Sequence, residues 1–141
     1  NAIISSSIIT IDIGGNDILK HKYSPDKLYE ALACFRYNLF TMLNEIYCLN
    51  KNAQIYIMDI YNPYCIEHEM HEIAEVWINE FNAVLWSTLK SREFKVSGIA
   101  NVYSAYKSNE NRYTLMNYNN VHPNTLGYKI INDCYKSITI I

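Results

Sequence analysis

Glycine and charge are both scarce in this chain: four glycines and 18% charged residues among 141. Neither a GxGxxG nor a P-loop spacing is present, which removes the two commonest phosphate-cradling motifs. Lysine and arginine number 12 against 14 acidic residues, a net charge of −2 that leaves no electrostatic footprint for nucleic acid or an anionic membrane. No apolar run approaches the roughly 18–20 residues of a membrane span. The four cysteines, Cys34, Cys48, Cys65 and Cys134, form no CxxC pair. They read as free, mostly buried thiols and not as a disulfide or metal framework. Repeats, linkers and low-complexity segments are missing as well. The first residue is Asn1, no signal peptide can be read, and the compartment stays open. Richness in Asn, Ile, Tyr and Lys is the composition expected of an AT-rich bacterial genome.

What is present is globular. Half of the residues are apolar or aromatic, and the length is that of one domain with one core. Strand and helix patterns alternate, which predicts an α/β layer architecture with a parallel sheet. The strands are expected over Ile8–Ile13, Gln54–Ile60 and about Ile99–Tyr103. A helix opening at Ser24-Pro25-Asp26 carries the stripe Leu28, Leu32, Phe35, Leu39, Met42, Leu43, Ile46, Leu49. A second, roughly His68 to Ser91, buries Met70, Ala74, Trp77, Phe81, Val84, Leu85 and Leu89. A polar loop from Ser104 to Asn120 precedes the last helix, which runs from Asn124 or Thr125 to Ile138. That helix is expected to bury Leu126, Ile130, Ile131, Cys134 and Ile138.

Two segments carry chemistry. The first strand breaks into Gly14-Gly15-Asn16-Asp17 at its carboxyl end, where open parallel sheets bind ligands. Glycines there permit a tight turn and close approach, and the Asn16 amide offers N–H donors to a developing oxyanion. A plain turn capped by Asn and Asp is the alternative reading. Far along the chain, His122 precedes Pro123 and is therefore extended, on a stiff mounting in front of a helix. Its ordinary pKa suits a general base, although a solvent-facing loop histidine has the same local pattern.

The order of these motifs on this alternation resembles the SGNH (GDSL-type) hydrolase family over nearly the whole chain. Ile13-Gly14-Gly15-Asn16-Asp17 is similar to the family's Gly-x-Asn-Asp block, and His122-Pro123-Asn124 with Leu126-Gly127-Tyr128 to its final His block. Val102-Tyr103-Ser104-Ala105-Tyr106 is similar to the segment after the last strand. The resemblance implies a three-layer α/β/α, flavodoxin-like fold and an esterase, lipase or acylhydrolase that needs no metal or cofactor. It implies that Asn16 is an oxyanion-hole donor and His122 the base, with Gly14, Gly15 and Asp17 lining the substrate site. A small acyl ester is the implied substrate.

Two blocks depart from the family. The opening Gly-Asp-Ser turn has no counterpart, nor has the block that supplies a glycine N–H, so the chain reads as the C-terminal portion of the fold. Ser5, Ser6 and Ser7 precede the first strand, at its wrong end. The position three residues before the histidine, an acid in the family, is Asn119, a candidate catalytic residue that can accept a hydrogen bond from the imidazole but cannot stabilise imidazolium as a carboxylate does. The expectation is an ester hydrolase site lacking its nucleophile and weak or inactive alone, with a homo-oligomer formed through an exposed strand edge. The rival readings are a non-catalytic binding relic of the fold and a flavodoxin-like anion or nucleotide binder. Glu67-His68-Glu69-Met70-His71-Glu72 has its histidines three apart, not four, and reads as a solvated helix start and not a zinc site. Asp59, ending the second strand, reads as a turn cap that can also line the cleft.

Overall fold

The computed structural model describes residues 2–91 and 95–139. Short α1 (Ala2–Ser5) leads into β1 (Ile8–Ile11), then α2 (Gly15–His21), α3 (Pro25–Leu49), β2 (Gln54–Met58), α4 (His71–Lys90) and β3 (Val96–Ala100). After the sheet come α5 (Val102–Tyr106), α6 (Glu110–Tyr113), the two-residue β4 (Thr114–Leu115), β5 (Asn120–Pro123) and α7 (Thr125–Ile138). The first three strands form a parallel sheet in the order β1-β2-β3, and β4 pairs antiparallel with β5.

Alternation along β2 assigns the two faces of the sheet. Ile55 and Ile57 join Ile11 and Ile99 in a core completed by Phe35, Leu39 and Leu43 of α3 and Phe81 and Leu85 of α4. Met58 points the other way and meets Ala100, Val102 and Tyr106, against which Ile130, Ile131 and Ile138 of α7 are packed. Helices thus cover both faces, as a parallel sheet requires. Each wholly buried Leu, Ile or Phe contributes about 1.5–3 kcal/mol.

Several expectations shift. β1 and β2 are shorter than predicted, and β3, of the expected length, begins and ends earlier, because Asn101 accepts from Ser104 N–H and starts α5 where the strand was expected to continue. The helix α2 replaces the expected turn after Gly14, and the loop 104–120 contains α6 and β4. Thr88 takes the buried place expected of Leu89. Two burial expectations fail. Cys34 and Cys48 are exposed, because they fall off the buried stripe of α3, and Cys65 and Cys134 are half-buried, Cys134 at the margin of the second core. On α7 only Gly127 is buried; Ile130, Ile131, Cys134 and Ile138 are half-covered and Leu126 is exposed.

Gly127 explains how α7 sits so near α5 and α6. A Cβ there would collide with the Tyr113 carbonyl oxygen and lie 2.5 Å from Tyr106 Oη. Gly127→Ala is therefore expected to cost about 1–3 kcal/mol by overpacking, read as a lower urea midpoint at unchanged slope. Gly15 faces open space, so Gly15→Ala is expected to be neutral or to stabilise by up to about 1 kcal/mol. Equal losses at both positions would overturn this account.

Candidate active site

A cavity of about 200 Å³ opens at the carboxyl end of β1. Three segments line it: Asp12 to Leu19 without Asp17, Met58 to Tyr64 without Asp59 and Asn62, and Val121 to Pro123 with Tyr128. Ala74 and Ile78 of α4 lie behind them. Asn16 and His122, far apart in sequence, both line this one cavity.

The first segment is shaped by Gly14, which adopts φ 98° and precedes α2 as its N-cap. A Cβ there would lie 2.8 Å from Ile60 Cδ1 and 3.0 Å from Phe35 Cε2. Both the left-handed backbone and the close approach demand glycine. The turn places Asn16 in the first turn of α2, exposed, with no hydrogen bond to its side chain among the described residues. Gly14 and Gly15 line the cavity; Asp17 faces solvent outside it.

The His122 segment is held from three sides. Tyr61 donates its phenolic O–H to the Val121 carbonyl at 2.9 Å. Asn120 Oδ1 accepts from His122 N–H at 3.0 Å. Beyond Pro123, the Asn124 amide donates to the Arg112 and Thr114 carbonyls and accepts from Leu126 and Gly127 N–H, so one side chain caps α7 and anchors the hairpin. The imidazole itself is exposed and has no hydrogen-bond partner among the described residues. Asn119 does not line the cavity. It is exposed, takes a left-handed backbone (φ 55°) and closes the 3-10 turn Met116–Tyr118 through its N–H to the Met116 carbonyl.

Behind the hairpin the phenols of Tyr61, Tyr106 and Tyr113 stack, with ring centroids 4.3 Å and 5.3 Å apart. Burial first, then neighbouring phenols, Asp12 and, for Tyr106, Cys134, raise the Tyr61 and Tyr106 pKa values well above that of free tyrosine, so both stay neutral. Tyr61 donates to Val121, whereas the buried Tyr106 hydroxyl has no hydrogen-bond partner among the described residues. Burial also raises the Asp12 carboxyl above the ordinary carboxylate range, although the residue keeps an exposed edge.

Sequence reasoning missed Asp12, Tyr61, Pro63, Tyr64, Ala74, Ile78 and Tyr128 as cavity residues. Two signals were available: a charge inside an apolar strand, and a Tyr-Asn-Pro turn at the carboxyl end of β2. Asp59 does not line the cavity. It is buried, accepting from Tyr103 N–H at 2.8 Å and Trp86 Nε1–H at 3.3 Å, which fits the cap reading. His68 Nδ1 accepts from Met70 N–H, and His71 Nδ1 bonds the Tyr64 carbonyl. Among the described residues no three His, Cys, Asp or Glu side chains are grouped to hold a metal.

The cavity offers a carbonyl group an amide donor and offers a hydroxyl group a base. No serine, threonine or cysteine of the described residues lines it. Ser5 and Ser6 bond the Ala2 carbonyl at the opposite end of β1.

A family model described as "GDSL-like Lipase/Acylhydrolase family" matches residues 3–130. Among solved structures, a lipase from a goat rumen metagenome superposes with a TM-score of 0.78 at 23% identity, over 96% of this chain and 65% of that one. An acetyl xylan esterase from Geobacillus stearothermophilus superposes with a TM-score of 0.63 at 16% identity, over 96% of this chain and 62% of that one. The chain thus spans under two thirds of either structure, and at these identities the likeness is one of fold. No curated protein matches the sequence.

Asp12 makes a test of the cavity's electrostatics. Its raised pKa means the folded chain holds this proton to higher pH than the unfolded chain, whose value is near 3.8. Asp12 therefore stabilises the fold below the unfolded pKa, and that contribution is lost as pH rises through the folded one. Relative to the wild type, Asp12→Asn is expected to gain stability from about pH 3 to about pH 7 in urea denaturation. Parallel curves would show that Asp12 is fully solvated.

Proposed function

The chain belongs to the GDSL-like lipase/acylhydrolase family, and from that premise we propose that it carries the oxyanion donor and the general base of a serine ester hydrolase. Its fold is that of SGNH-type hydrolases. What supports the assignment is the meeting of Asn16 and His122 at one cavity, which no serine, threonine or cysteine of the described residues lines.

In this reading a serine hydroxyl reaches the cavity from a segment outside the chain. A further strand running parallel to β1 on its open edge has its carboxyl end beside Asp12 and Gly14, where the hydroxyl is needed. His122 takes the serine proton as the oxygen bonds to the ester carbonyl carbon. The oxyanion accepts from the Asn16 amide, and His122 returns the proton to the departing alkoxide. Water then cleaves the acyl-serine by the same route. With Asn119 turned to solvent, the imidazolium lacks the carboxylate that this family places three residues earlier. In a serine-protease triad, exchanging the acid for an amide costs about 10⁴ in kcat. Asn119 and the absent nucleophile equally favour the rival, a binding relic without catalysis.

The coding sequence directly upstream of Asn1 separates the two. Where a strand and Gly-Asp-Ser stand there in frame, the polypeptide that includes them is expected to hydrolyse p-nitrophenyl acetate and to lose about 10²–10³ in kcat on Asn16→Ala. Where they are absent, the relic reading holds. The 141-residue chain alone is expected to hydrolyse this ester at the rate of buffer, and turnover that disappears on His122→Ala would overturn the proposal.

The open edge has a second consequence. Among the described residues β1 pairs only with β2, and Ile8 on it is 41% exposed. An unpaired strand edge beside apolar surface is a template for association. The isolated chain is expected to pair this edge with a second copy and to give at least a dimer mass by light scattering; a monomer at high concentration excludes this.

A further inference from the structure

The cavity's polarity is graded with depth. At its mouth Asp12, Asn16, His122 and Tyr128 are exposed, whereas Ile18, Ile60, Ala74 and Ile78 at its inner end are buried and wholly apolar. The backbone there is satisfied too. Ile60 exchanges both hydrogen bonds with Asn82, and Ala74 N–H donates to the Met70 carbonyl. A water molecule needs two to four polar partners to occupy such a space. Among the buried lining residues the one polar side-chain group is the Tyr64 hydroxyl, which accepts from Lys22 Nζ at 3.5 Å.

We infer that this inner end is a slot for an unbranched acyl chain of about five or six carbons, and that Ala74 on α4 sets its depth. The inference rests on the ester hydrolase reading for the orientation of the ligand, carbonyl at the mouth beside Asn16 and alkyl chain inward. Size follows from volume. An apolar cavity of about 150 Å³ holds benzene. The present cavity of about 200 Å³ then holds about eight non-hydrogen atoms. Two or three of these belong to the ester group at the mouth. Acetyl groups leave the slot unfilled, and chains beyond about eight carbons overrun it.

Depth is set by α4 because Ala74 contributes one methyl group where most apolar residues would extend further. Ile78 stands one turn on, so the pair forms the wall that an alkyl terminus meets. Ala74 occupies its helix position without polar obligation, and a larger side chain there grows into the slot.

The test uses the whole chain and neutral primary amides, acetamide, butanamide, hexanamide, octanamide and decanamide, titrated against methyl chemical shifts. Neutral probes avoid repulsion by Asp12. Affinity is expected to rise about fourfold per added methylene through hexanamide and to level off by octanamide. Ala74→Phe is expected to stop the rise at butanamide, and Ile78→Ala to extend it by about two carbons. Circular dichroism reports whether each variant folds, and either variant alone suffices. Affinity independent of chain length, no binding at any length, or a length profile unmoved in a folded variant overturns the slot. Asn16→Ala keeps the two ideas apart. If the length profile persists but this variant weakens no amide, the slot stands and the oxyanion assignment falls. If Asn16→Ala weakens every amide but length has no effect, the assignment stands and the slot falls.

Discussion

Ile60 gives both of its backbone hydrogen bonds to a single side chain: its N–H donates to Asn82 Oδ1 at 2.7 Å and its carbonyl accepts from Nδ2 at 2.9 Å. This residue lies just past β2, where the strand partners have ended yet the chain is still buried. Leaving such groups unpaired costs about 1–3 kcal/mol each. The α4 amide stands in for a neighbouring strand and lets the backbone leave the sheet inside the core. One residue earlier, Asp59 turns the same exit toward α5 by accepting from Tyr103 N–H. The rest of the cavity hangs on this exit. Ile60 is the atom wall that makes Gly14 obligatory, Tyr61 reaches up to hold the His122 strand, and Pro63 and Tyr64 form the flank.

Opposite this buried fixed point stands a second, made at the surface. Asn124 makes four hydrogen bonds, to α7, α6 and β4, and Gly127 lets α7 approach α5 and α6 to contact. His122 is thus presented from a strand whose position is determined at both ends while its imidazole stays unbonded among the described residues. Rigidity of the mounting and freedom of the ring are separate properties here, and an acid–base group needs both.

The layers, the helix stripes and the two chemical segments were legible in the sequence because each rests on local pattern. Leu28, Phe35, Leu39, Leu43 and Ile46 repeat at helical spacing and are buried as that spacing requires. Asn124 caps α7 as its residue type suggests. What was illegible depends on tertiary neighbours. The seven residues of α2 lack a side-chain cap and are helical because Ile18 packs into the core. The strong apolar stripe of α7 predicted full burial, but a sequence stripe reports only which side faces inward and not how much surface waits there. Asn119 and His122 are near in sequence, yet a left-handed residue at the end of a 3-10 turn directs one outward while the other faces the cavity. Ala74 and Ile78 looked like ordinary core residues, since nothing local distinguishes a core wall from the back of a pocket.

Tyr135 donates its O–H to the Ile11 carbonyl at 3.0 Å, joining α7 to β1 across 124 residues of chain. On the ribosome this contact has a timetable. At about 5–20 residues per second, roughly 6–25 s pass between the synthesis of the acceptor and that of the donor. Through that interval the sheet can assemble from local βαβ units, but the cavity lacks its histidine wall. Completion of the site therefore waits for the last part of the chain: until Val121, His122, Pro123 and Tyr128 are in place, the cavity is lined only by the segments from Asp12 to Ile78.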